Sequence, residues 1–354
     1  MSIDNITLAV TDLLKKLIST PSFSREEAGT ADLIRSFLQH QAIPFHQKGY
    51  NTWAVHSSYS PEKPTILLNS HHDTVKPAAG WQRDPFTPNL EGDRLYGLGS
   101  NDAGGPLMGL LGAFCILNEK EDLPYNLIFA ATAEEEISGK NGVASILGEL
   151  GKIDLGIVGE PTQMQLAIAE KGLMVLDCVA HGKTGHAARE EGINAIYEAM
   201  PDIEWFRTYQ FPRVSDTLGP VKMSVTQITA GTQHNVVPPE CTFVVDVRTT
   251  DAYSNQAAFD IIDAATQCEV KPRSFRLNSS GIALDHPLVQ HAQQLGMDTF
   301  GSSTLSDQAL MSFPTVKIGP GDSARSHTAD EYICLSEIEA AIPKYVELLK
   351  GNIL

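Results

Sequence analysis

Short apolar runs alternate with longer helical segments over the first half of this chain, and this alternation is the feature that most constrains the fold. Residues 66–68, 127–131 and 155–158 form apolar runs that are short enough for buried strands. Residues 106–117 and 142–150 lie between these runs and have the length and composition of helices. Strands that alternate with helices predict a mostly parallel sheet with helices on both faces, so we expect an α/β fold.

Further helices are predicted near the two ends of the chain. Leucines from Leu8 to Leu17 fall on one face of an opening helix. Ser24 and Glu27 have the spacing of a capping box, in which each side chain caps the other's backbone, and they predict the start of a second helix. A closing helix is predicted over residues 336–349.

The pattern changes near Gly172, where strands of alternating apolar and polar residues replace the apolar runs. The predicted elements of this region are strands at residues 173–180, 221–228 and 242–247 and helices at residues 195–206 and 253–265. Alternation favours antiparallel pairing with one buried face. The strand–helix pattern then returns. We therefore predict a discontinuous α/β domain of residues 1–171 and 280–354, interrupted by an α+β domain of residues 172–279.

The charge balance narrows the classes of partner. The chain has 43 acidic and 26 basic residues and a formal net charge of −17. Such an acidic surface aids solubility and disfavours nucleic acid and anionic membrane as partners. No apolar run approaches the ~18 residues that a spanning helix needs, and the N-terminus lacks the pattern of a signal peptide. The five cysteines are scattered without a CxxC pair, so we expect free thiols and a cytoplasmic protein.

Side chains that bind metals follow the apolar runs. His71 and Asp73 come directly after the first predicted strand, and their spacing on extended chain points both side chains to one face. The other candidates are Asp102 in a glycine-dense turn, Glu135 and Glu136, Glu160 in a Gly-Glu-Pro sequence, and His327 in a Ser-His-Thr sequence. In parallel sheets the ligand site lies off the carboxyl ends of the strands. The inventory predicts a hydrolase with two metal ions.

The donor types give each candidate a place in such a centre. Two metal ions ~3.5–4 Å apart act as a pair, and a carboxylate that binds both would bridge them. We expect Asp102 to be that bridge, because its glycine neighbours allow the backbone to approach a metal closely. His71 and Glu160 would complete one site, and Glu136 and His327 would complete the other.

Two further carboxylates have predicted roles beside the metals. Asp73 is expected to hydrogen-bond the imidazole of His71 and to fix its tautomer. Glu135 stands beside a ligand without being one, so it is the candidate general base that takes a proton from water and passes it to the leaving amine. His72 points away from His71, and we expect it to pack or to support the site.

Each of these signals alone has an ordinary structural explanation. Residues 134–136 could form a solvated helix start, because acids are favoured in the first helical turn. Asp102 could be a turn former among its Asn and Gly neighbours, and His327 could be a structural histidine. If these explanations were correct, the candidate residues would all have to follow a strand or lie in a glycine turn by coincidence. The complete set therefore favours a metal centre.

Together the motifs resemble those of the M20 metallopeptidase family. The resemblance is carried by His71-x-Asp73, Leu95-Tyr96-Gly97 leading to Asp102, Glu135-Glu136, Gly159-Glu160-Pro161 and Ser326-His327. It implies a zinc-peptidase-like fold, two zinc ions that cobalt can replace, hydrolysis of an amide, and a lid domain that forms a homodimer. The inserted α+β domain would be that lid. Ser70 stands where the family usually has glycine, and Lys76 stands where proline is common.

The resemblance also implies roles for residues outside the metal centre. His186, in a glycine-rich segment of the lid, would act across the dimer and stabilise the oxyanion of the tetrahedral intermediate. Asn235 and Arg248 would clamp the substrate's α-carboxylate, because a guanidinium binds a carboxylate through two parallel hydrogen bonds. A salt bridge at a strand edge is the competing interpretation of Arg248. Gly319 would line the acyl side of the cleft.

The expected activity is removal of the N-acyl group from an amino acid, a small-molecule substrate. The resemblance favours N-acetyl-L-ornithine, which would yield L-ornithine and acetate in arginine biosynthesis. N-succinyl-ornithine and N-succinyl-diaminopimelate are the alternatives, and their acyl carboxylate would need a further cation such as Lys183 or Arg276. From a different class, an inactive binding protein on the same scaffold would lack a ligand or the base, whereas this chain has all five ligands and Glu135.

Overall fold

The chain forms two compact units. The computed structural model describes residues 2–120, 122–189, 191–351 and 353–354. The first unit comprises the chain up to Ile168 together with Gly281–Phe300 and Ser306–Leu354. The second unit comprises Ala169–Ser280 together with Gly301–Leu305. The inserted domain predicted from the sequence spans residues 172–279 and does not include residues 301–305.

Helices and strands are numbered here in chain order. The helices are α1 (Ile3–Ile18), α2 (Ala28–His40), α3 (Gly105–Asn118), α4 (Val143–Ile146), α5 (Ala195–Thr208), α6 (Asn255–Ala265), α7 (Pro287–Gln294) and α8 (Leu335–Lys350). The strands are β1 (His46–Lys48), β2 (Asn51–Val55), β3 (Thr65–His71), β4 (Asn89–Glu91), β5 (Arg94–Tyr96), β6 (Asn126–Thr132), β7 (Leu155–Val158), β8 (Leu166–Glu170), β9 (Met174–His181), β10 (Gly185–His186), β11 (Lys222–Ala230), β12 (Val236–Val237), β13 (Glu240–Arg248), β14 (Glu269–Pro272), β15 (Ser280–Gly281), β16 (Thr299–Ser302), β17 (Thr315–Lys317) and β18 (Tyr332–Cys334).

The first unit is built on a mixed sheet that runs in the order β1-β2-β6-β3-β7-β17-β8. Its middle strands are parallel, because β3 pairs with β6 and β7, and β7 pairs with β17. The flanking strands β2 and β8 pair antiparallel with their neighbours. Every residue of β3, β6 and β7 is buried, as expected for parallel strands that are covered on both faces. The α/β fold predicted from the alternation is confirmed.

The parallel strands end at a common edge of this sheet. His71 is the last residue of β3 and pairs with Thr132, the last residue of β6. Glu160 lies two residues beyond β7, and Gly319 lies two residues beyond β17. Candidate site residues that are far apart in sequence therefore emerge beside one another, because parallel strands bring their carboxyl ends together.

Helix α3 is apolar on nearly all sides and packs inside the first unit. Glycines on this helix allow α8 to approach closely. A Cβ atom at Gly109 would lie 3.0 Å from the ring of Tyr345, and one at Gly112 would lie 2.7 Å from the end of Ile342. Although α3 is strongly apolar, no helix in the described part of the chain is long and apolar enough to cross a membrane.

The second unit contains an antiparallel sheet in the order β11-β13-β9-β14. Burial alternates along β9 and β13, the pattern of strands that bury one face. Helices α5 and α6 contribute the buried residues Ala199, Phe206 and Ile262 to the same apolar core as Phe243 of β13. The unit is therefore an α+β layer with its own core.

Three predictions of local structure differ from the structure. The capping box is wrong, because α2 begins at Ala28 and its N-cap Glu27 makes no capping hydrogen bond. The Ser24 hydroxyl instead donates to the Asp73 carboxylate at 2.7 Å. Leu8 lies on α1 but is 63% exposed, so it does not belong to the buried face. The helix predicted over residues 142–150 is shorter and spans Val143–Ile146.

Candidate metal centre

Asp102 presents one carboxylate oxygen to each of two histidines. Its Oδ1 lies 3.3 Å from Nε2 of His71, and its Oδ2 lies 3.6 Å from Nε2 of His327. Oε1 of Glu160 lies 3.8 Å from the His71 nitrogen, whereas Oε2 of Glu136 lies 3.0 Å from the His327 nitrogen. The donors therefore form two groups that share Asp102, one with His71 and Glu160 and the other with His327 and Glu136.

These spacings suit divalent metal ions. Ligands at about 2.0–2.1 Å from a tetrahedral ion lie about 3.3 Å from one another, which is close to the nitrogen–oxygen distances around Asp102. The two groups adjoin, because ligand atoms of His71 from one group, Glu136 from the other and the shared Asp102 all lie within 4.8 Å of one another. Imidazole nitrogen and carboxylate oxygen are the donors that zinc takes in hydrolases. The residues thus fit the metal ions that the sequence predicts.

The electrostatics of the centre also fit a cationic occupant. Burial, reinforced by the charge of Asp102, raises the pKa of Glu160 to about 8. Burial likewise raises the pKa of Glu135 well above its ordinary value. The hydrogen bond to Glu136 raises the pKa of His327 to about 9. Carboxylates crowded into a dry site need protons or cations to neutralise them, and metal ions supply that charge.

The candidate base lies on a tight turn that follows β6. Glu134 adopts a left-handed conformation with φ 55° and precedes the short 3-10 turn Glu135–Ile137. Oε2 of Glu135 lies 3.9 Å from Nε2 of His71, and Glu136 reaches His327 on the other side of Asp102. The turn therefore brings two consecutive glutamates to the same centre.

Asp73 contacts both the imidazole of His71 and the turn that carries Glu135. Nδ1 of His71 lies 3.0 Å from the backbone oxygen of Asp73 and 3.4 Å from its Oδ1. The same carboxylate accepts hydrogen bonds from the backbone N–H groups of Glu135 at 3.0 Å and Glu136 at 3.2 Å, and from the Ser24 hydroxyl at 2.7 Å. One buried acid thus fixes a histidine and the turn that carries the candidate base.

Two buried carboxylates near the centre were not predicted from the sequence. Asp307 accepts hydrogen bonds from Nδ2 of Asn69 at 2.9 Å and Oγ1 of Thr132 at 3.0 Å, and burial raises its pKa to about 6. Glu331 accepts hydrogen bonds from the backbone of the turn that carries Asp102. Each is a single acid whose partners are distant in sequence, so its spacing along the chain does not indicate a role in the site. The only available signal was its place beside a predicted strand end or ligand.

Both ring nitrogens of His72 face hydrogen-bond partners in neighbouring parts of the fold. Its Nδ1 lies 2.9 Å from the hydroxyl of Thr30, and its Nε2 lies 3.1 Å from the backbone oxygen of Tyr50. Burial lowers the pKa of His72 to about 4, so the ring is neutral near pH 7. The two ring nitrogens are thus engaged away from His71, and the side chain ties β3 to neighbouring elements.

The backbone around Glu160 is packed tightly. Ser70, which departs from the usual family glycine, donates a hydrogen bond to the backbone oxygen of Gly159 at 2.9 Å. A Cβ atom at Gly319 would lie 2.5 Å from the backbone oxygen of Glu160. Gly319 therefore lies against a candidate ligand, and its predicted role beside the substrate's acyl group stays a prediction.

The second unit brings His186 and Asn235 together. Strand β10 pairs with β12 so that His186 faces Val236, and the backbone N–H of Ala187 donates to the oxygen of Asn235 at 3.0 Å. Nδ1 of His186 accepts a hydrogen bond from the N–H of Ala188 at 3.1 Å. Because Nδ1 accepts, the proton of a neutral ring resides on Nε2, which is then the donor available to a substrate.

Arg248 is engaged within the second unit. Its guanidinium donates two hydrogen bonds to the carboxylate of Asp246, at 2.8 Å and 3.0 Å. This ion pair corresponds to the salt-bridge interpretation, although β13 lies inside its sheet between β11 and β9. A role for Arg248 in binding a substrate carboxylate would require the guanidinium to exchange partners, and it stays a prediction.

Comparison with known proteins finds relatives over nearly the whole chain. A family model described as peptidase family M20/M25/M40 matches residues 67–351. A succinyl-diaminopimelate desuccinylase of Wolinella succinogenes is 26% identical over 358 residues, which cover 94% of this chain and 96% of that protein. The match therefore includes both units.

The fold is similar to those of solved structures. An aminopeptidase of Bacillus cereus superposes with a TM-score of 0.78 at 18% identity, covering 97% of this chain and 98% of that chain. A Bacillus subtilis protein described as a dinuclear metal-binding peptidase of the M20 family gives a TM-score of 0.76 at 19% identity, covering 98% of each chain. At such identities the likeness establishes the fold.

Proposed function

The chain belongs to peptidase family M20/M25/M40, and on that basis we propose that it is a two-metal amidohydrolase that removes a succinyl group from an N-succinylated amino acid. The observation that carries the proposal is the position of Asp102, whose two oxygens face His71 and His327 separately. A carboxylate placed in this way can bind two ions at once, which is the arrangement that a dinuclear hydrolase needs.

The proposed chemistry divides the work between the metals and the side chains. Zinc or cobalt ions, when bound, would lower the pKa of a water molecule and polarise the carbonyl of the substrate. Asp102 and the two donor groups around it would hold the ions. Glu135 takes the proton of the attacking water and delivers it to the nitrogen of the leaving amine. Oε2 of Glu135 lies 3.9 Å from Nε2 of His71, so the proposed base stands beside the proposed ligands without being one of the five.

We further propose that the second unit acts as a lid and that its His186 completes the centre of a partner subunit in a homodimer. Two features support the role of His186: it lies on a short strand pair beside Asn235, and its Nδ1 accepts a backbone hydrogen bond that leaves Nε2–H as donor. A donor that is fixed before the reaction stabilises an oxyanion without a cost of reorganisation.

The choice of acyl group rests on the relatives. The desuccinylase of Wolinella succinogenes matches along nearly its whole length, and this favours a succinyl group over the acetyl group of N-acetyl-L-ornithine. A succinyl group adds a carboxylate, so its pocket should contain a cation. Lys183 and Arg276 of the second unit are the candidates named from the sequence. At 26% identity, both ornithine and diaminopimelate are candidates for the amino acid that carries the acyl group.

A substrate panel tests this proposal. The purified protein, loaded with zinc or with cobalt, is assayed for amine release from the N-succinyl and N-acetyl derivatives of ornithine, lysine and diaminopimelate. We expect kcat/KM for the best succinyl substrate to exceed that of its acetyl counterpart by about 10-fold or more, the effect of one well-formed polar contact. Activity should disappear after treatment with a chelator and return when the metal is restored.

Other outcomes would identify other functions. Preference for the acetyl derivatives would restore N-acetyl-L-ornithine as the substrate. Metal binding without turnover of any acylated amino acid would instead favour an inactive binding protein on the same scaffold. The Glu135→Gln variant serves as the control for contaminating hydrolases, because it lacks the proposed base and its kcat should fall by about 10²-fold or more.

A further inference from the structure

The turn that carries Asp102 is attached to a single buried acid. Glu331 is 2% exposed, and its Oε1 accepts the backbone N–H groups of Asn101 at 2.8 Å and Asp102 at 3.0 Å. Its Oε2 accepts the N–H of Gly99 at 3.1 Å. Three donors on one short segment thus converge on the side chain of one acid.

Glu331 is itself held in place by the chain around it. Its backbone oxygen accepts the N–H of Gly97 at 3.0 Å. The next residue, Tyr332, begins β18 and pairs with Tyr96 of β5. The carboxylate therefore projects from the residue just before a strand whose register is fixed, and it can set the position of the neighbouring turn.

A second connection joins the same turn to the loop that leads to His327. Nδ2 of Asn101 donates to the backbone oxygen of Asp322 at 3.0 Å, and Oδ1 of Asn101 accepts the N–H of Asp322 at 3.0 Å. Three residues lie between His327 and Glu331, and His327 adopts a left-handed conformation with φ 58°. The Asp102 turn and the His327 loop are thus joined at two points.

This geometry has a consequence for the metals. The N–H groups of Asn101 and Asp102 belong to the two peptides that lead into Asp102, so Glu331 fixes the backbone from which the Asp102 side chain projects. Without the hydrogen bonds to Glu331 the backbone at Asp102 would lose its anchor, and the Asp102 oxygens would no longer be held opposite both His71 and His327.

We propose that Glu331 is a positioning residue that holds Asp102 between His71 and His327 and thereby sets the affinity of the centre for its pair of metal ions. This inference rests on the proposed two-metal centre, but it concerns a residue that binds neither metal nor substrate. It predicts that the centre weakens when Glu331 is changed, although all five ligands and Glu135 remain.

The test compares Glu331→Gln with a matched control, Glu91→Gln. Glu91 lies on β4 in the small sheet that also contains β18, and its exposed carboxylate pairs with Arg83. Metal-free protein is titrated with cobalt, followed by the visible absorption of the bound ion, and with zinc in competition with a coloured chelator. We expect the dissociation constants of Glu331→Gln to rise about 10- to 100-fold, as for other partners of metal ligands, while Glu91→Gln stays within about 2-fold of the unchanged protein.

Kinetics separate positioning from a general loss of structure. We expect the low activity of Glu331→Gln at limiting cobalt to recover largely at excess cobalt, with KM little changed. If Glu331→Gln does not fold, Glu331→Asp, which keeps the charge but is one methylene shorter, undergoes the same titration. Its dissociation constants should also rise.

Each negative outcome has a distinct meaning. If the unchanged protein binds no metal pair, the proposed function itself fails. If it binds two ions and a folded Glu331 variant binds them with the same constants, Glu331 only stabilises the fold and the inference is overturned. A folded variant that excess cobalt cannot reactivate would also overturn it.

Discussion

At the scale of single residues, the role of each acid follows from what its oxygens accept. Asp102 directs its oxygens toward two histidine nitrogens, so it is placed to share two cations. Asp73 accepts backbone N–H groups of Glu135 and Glu136, so it fixes a turn. These backbone donors neutralise part of the charge of Asp73. Asp73 therefore supports the structure of the site, although it lies close to the candidate metal centre.

Replacement of the candidate base tests the separation between holding metals and moving protons. Glu135→Gln keeps the size of the side chain but removes its basicity, so we expect kcat to fall by about 10²–10⁴-fold. Zinc content should be unchanged, because all five proposed ligands remain in this variant. Glu26→Gln, at an exposed position, is the control. Loss of zinc together with activity would assign Glu135 to metal binding instead.

Metal uptake should release protons. In the metal-free protein the hydrogen bond to Glu136 raises the pKa of His327 to about 9, and burial raises the pKa of Glu160 to about 8. At pH 7 these groups therefore carry protons that a metal ion must displace. Zinc affinity should increase as the pH rises from about 6 to about 9. Calorimetric titration in buffers of different ionisation enthalpy counts the released protons, and the absence of release at pH 7 would contradict this account.

At the scale of elements, local patterns predict where strands and helices lie but not which side chain supports which turn. The predicted strand at residues 155–158 coincides with β7, and α5 begins at Ala195 as predicted. The spacing of Ser24 and Glu27 fails because Arg25 adopts a left-handed conformation, with φ 79°, and the Ser24 hydroxyl binds Asp73 instead.

The supporting acids could not be predicted for a related reason. Thr132 precedes Asp307 by 175 residues, and Asn101 precedes Glu331 by 230 residues. Periodicity and motif spacing describe neighbours along the chain, whereas these hydrogen bonds arise only when the sheet has brought the strand ends together. The candidate ligands were identified because they follow predicted strands or lie in glycine turns and together match a family pattern; a carboxylate outside that pattern is not marked in this way.

The connection between β6 and α4 allows no side chain at Gly142. A Cβ atom there would lie 2.3 Å from the backbone oxygen of Ala133, and the backbone cannot yield as a flexible side chain would. We expect Gly142→Ala to lower the free energy of unfolding by about 1–3 kcal/mol, the usual cost of overpacking. Gly148→Ala is the control, because its Cβ atom would meet nothing within 4 Å. Equal unfolding midpoints for the two variants in urea would contradict this expectation.

At the scale of the whole molecule, the chain separates the candidate metal centre from the residues proposed to contact the substrate. The first unit contains every proposed metal ligand and Glu135, whereas the second contains His186, Asn235 and Arg248. The two units have separate hydrophobic cores. We therefore expect substitutions in the second unit to change turnover and substrate choice without removing the metals.

His186→Ala tests this separation. If His186 donates a hydrogen bond to the oxyanion, its loss should lower kcat by about 10²–10³-fold and leave the zinc content intact. His181→Ala is a matched control, since His181 is an exposed histidine of the same unit that pairs with Glu269. Loss of zinc from His186→Ala, or equal kcat in the two variants, would count against the role of His186.

The most direct test of the central claim is the number of metal ions that the protein holds. Native mass spectrometry of the zinc-loaded protein should show two ions per chain, and Asp102→Ala should lose both because it removes the ligand that the two groups share. One ion or none in the unchanged protein, or two ions retained by Asp102→Ala, would contradict the account.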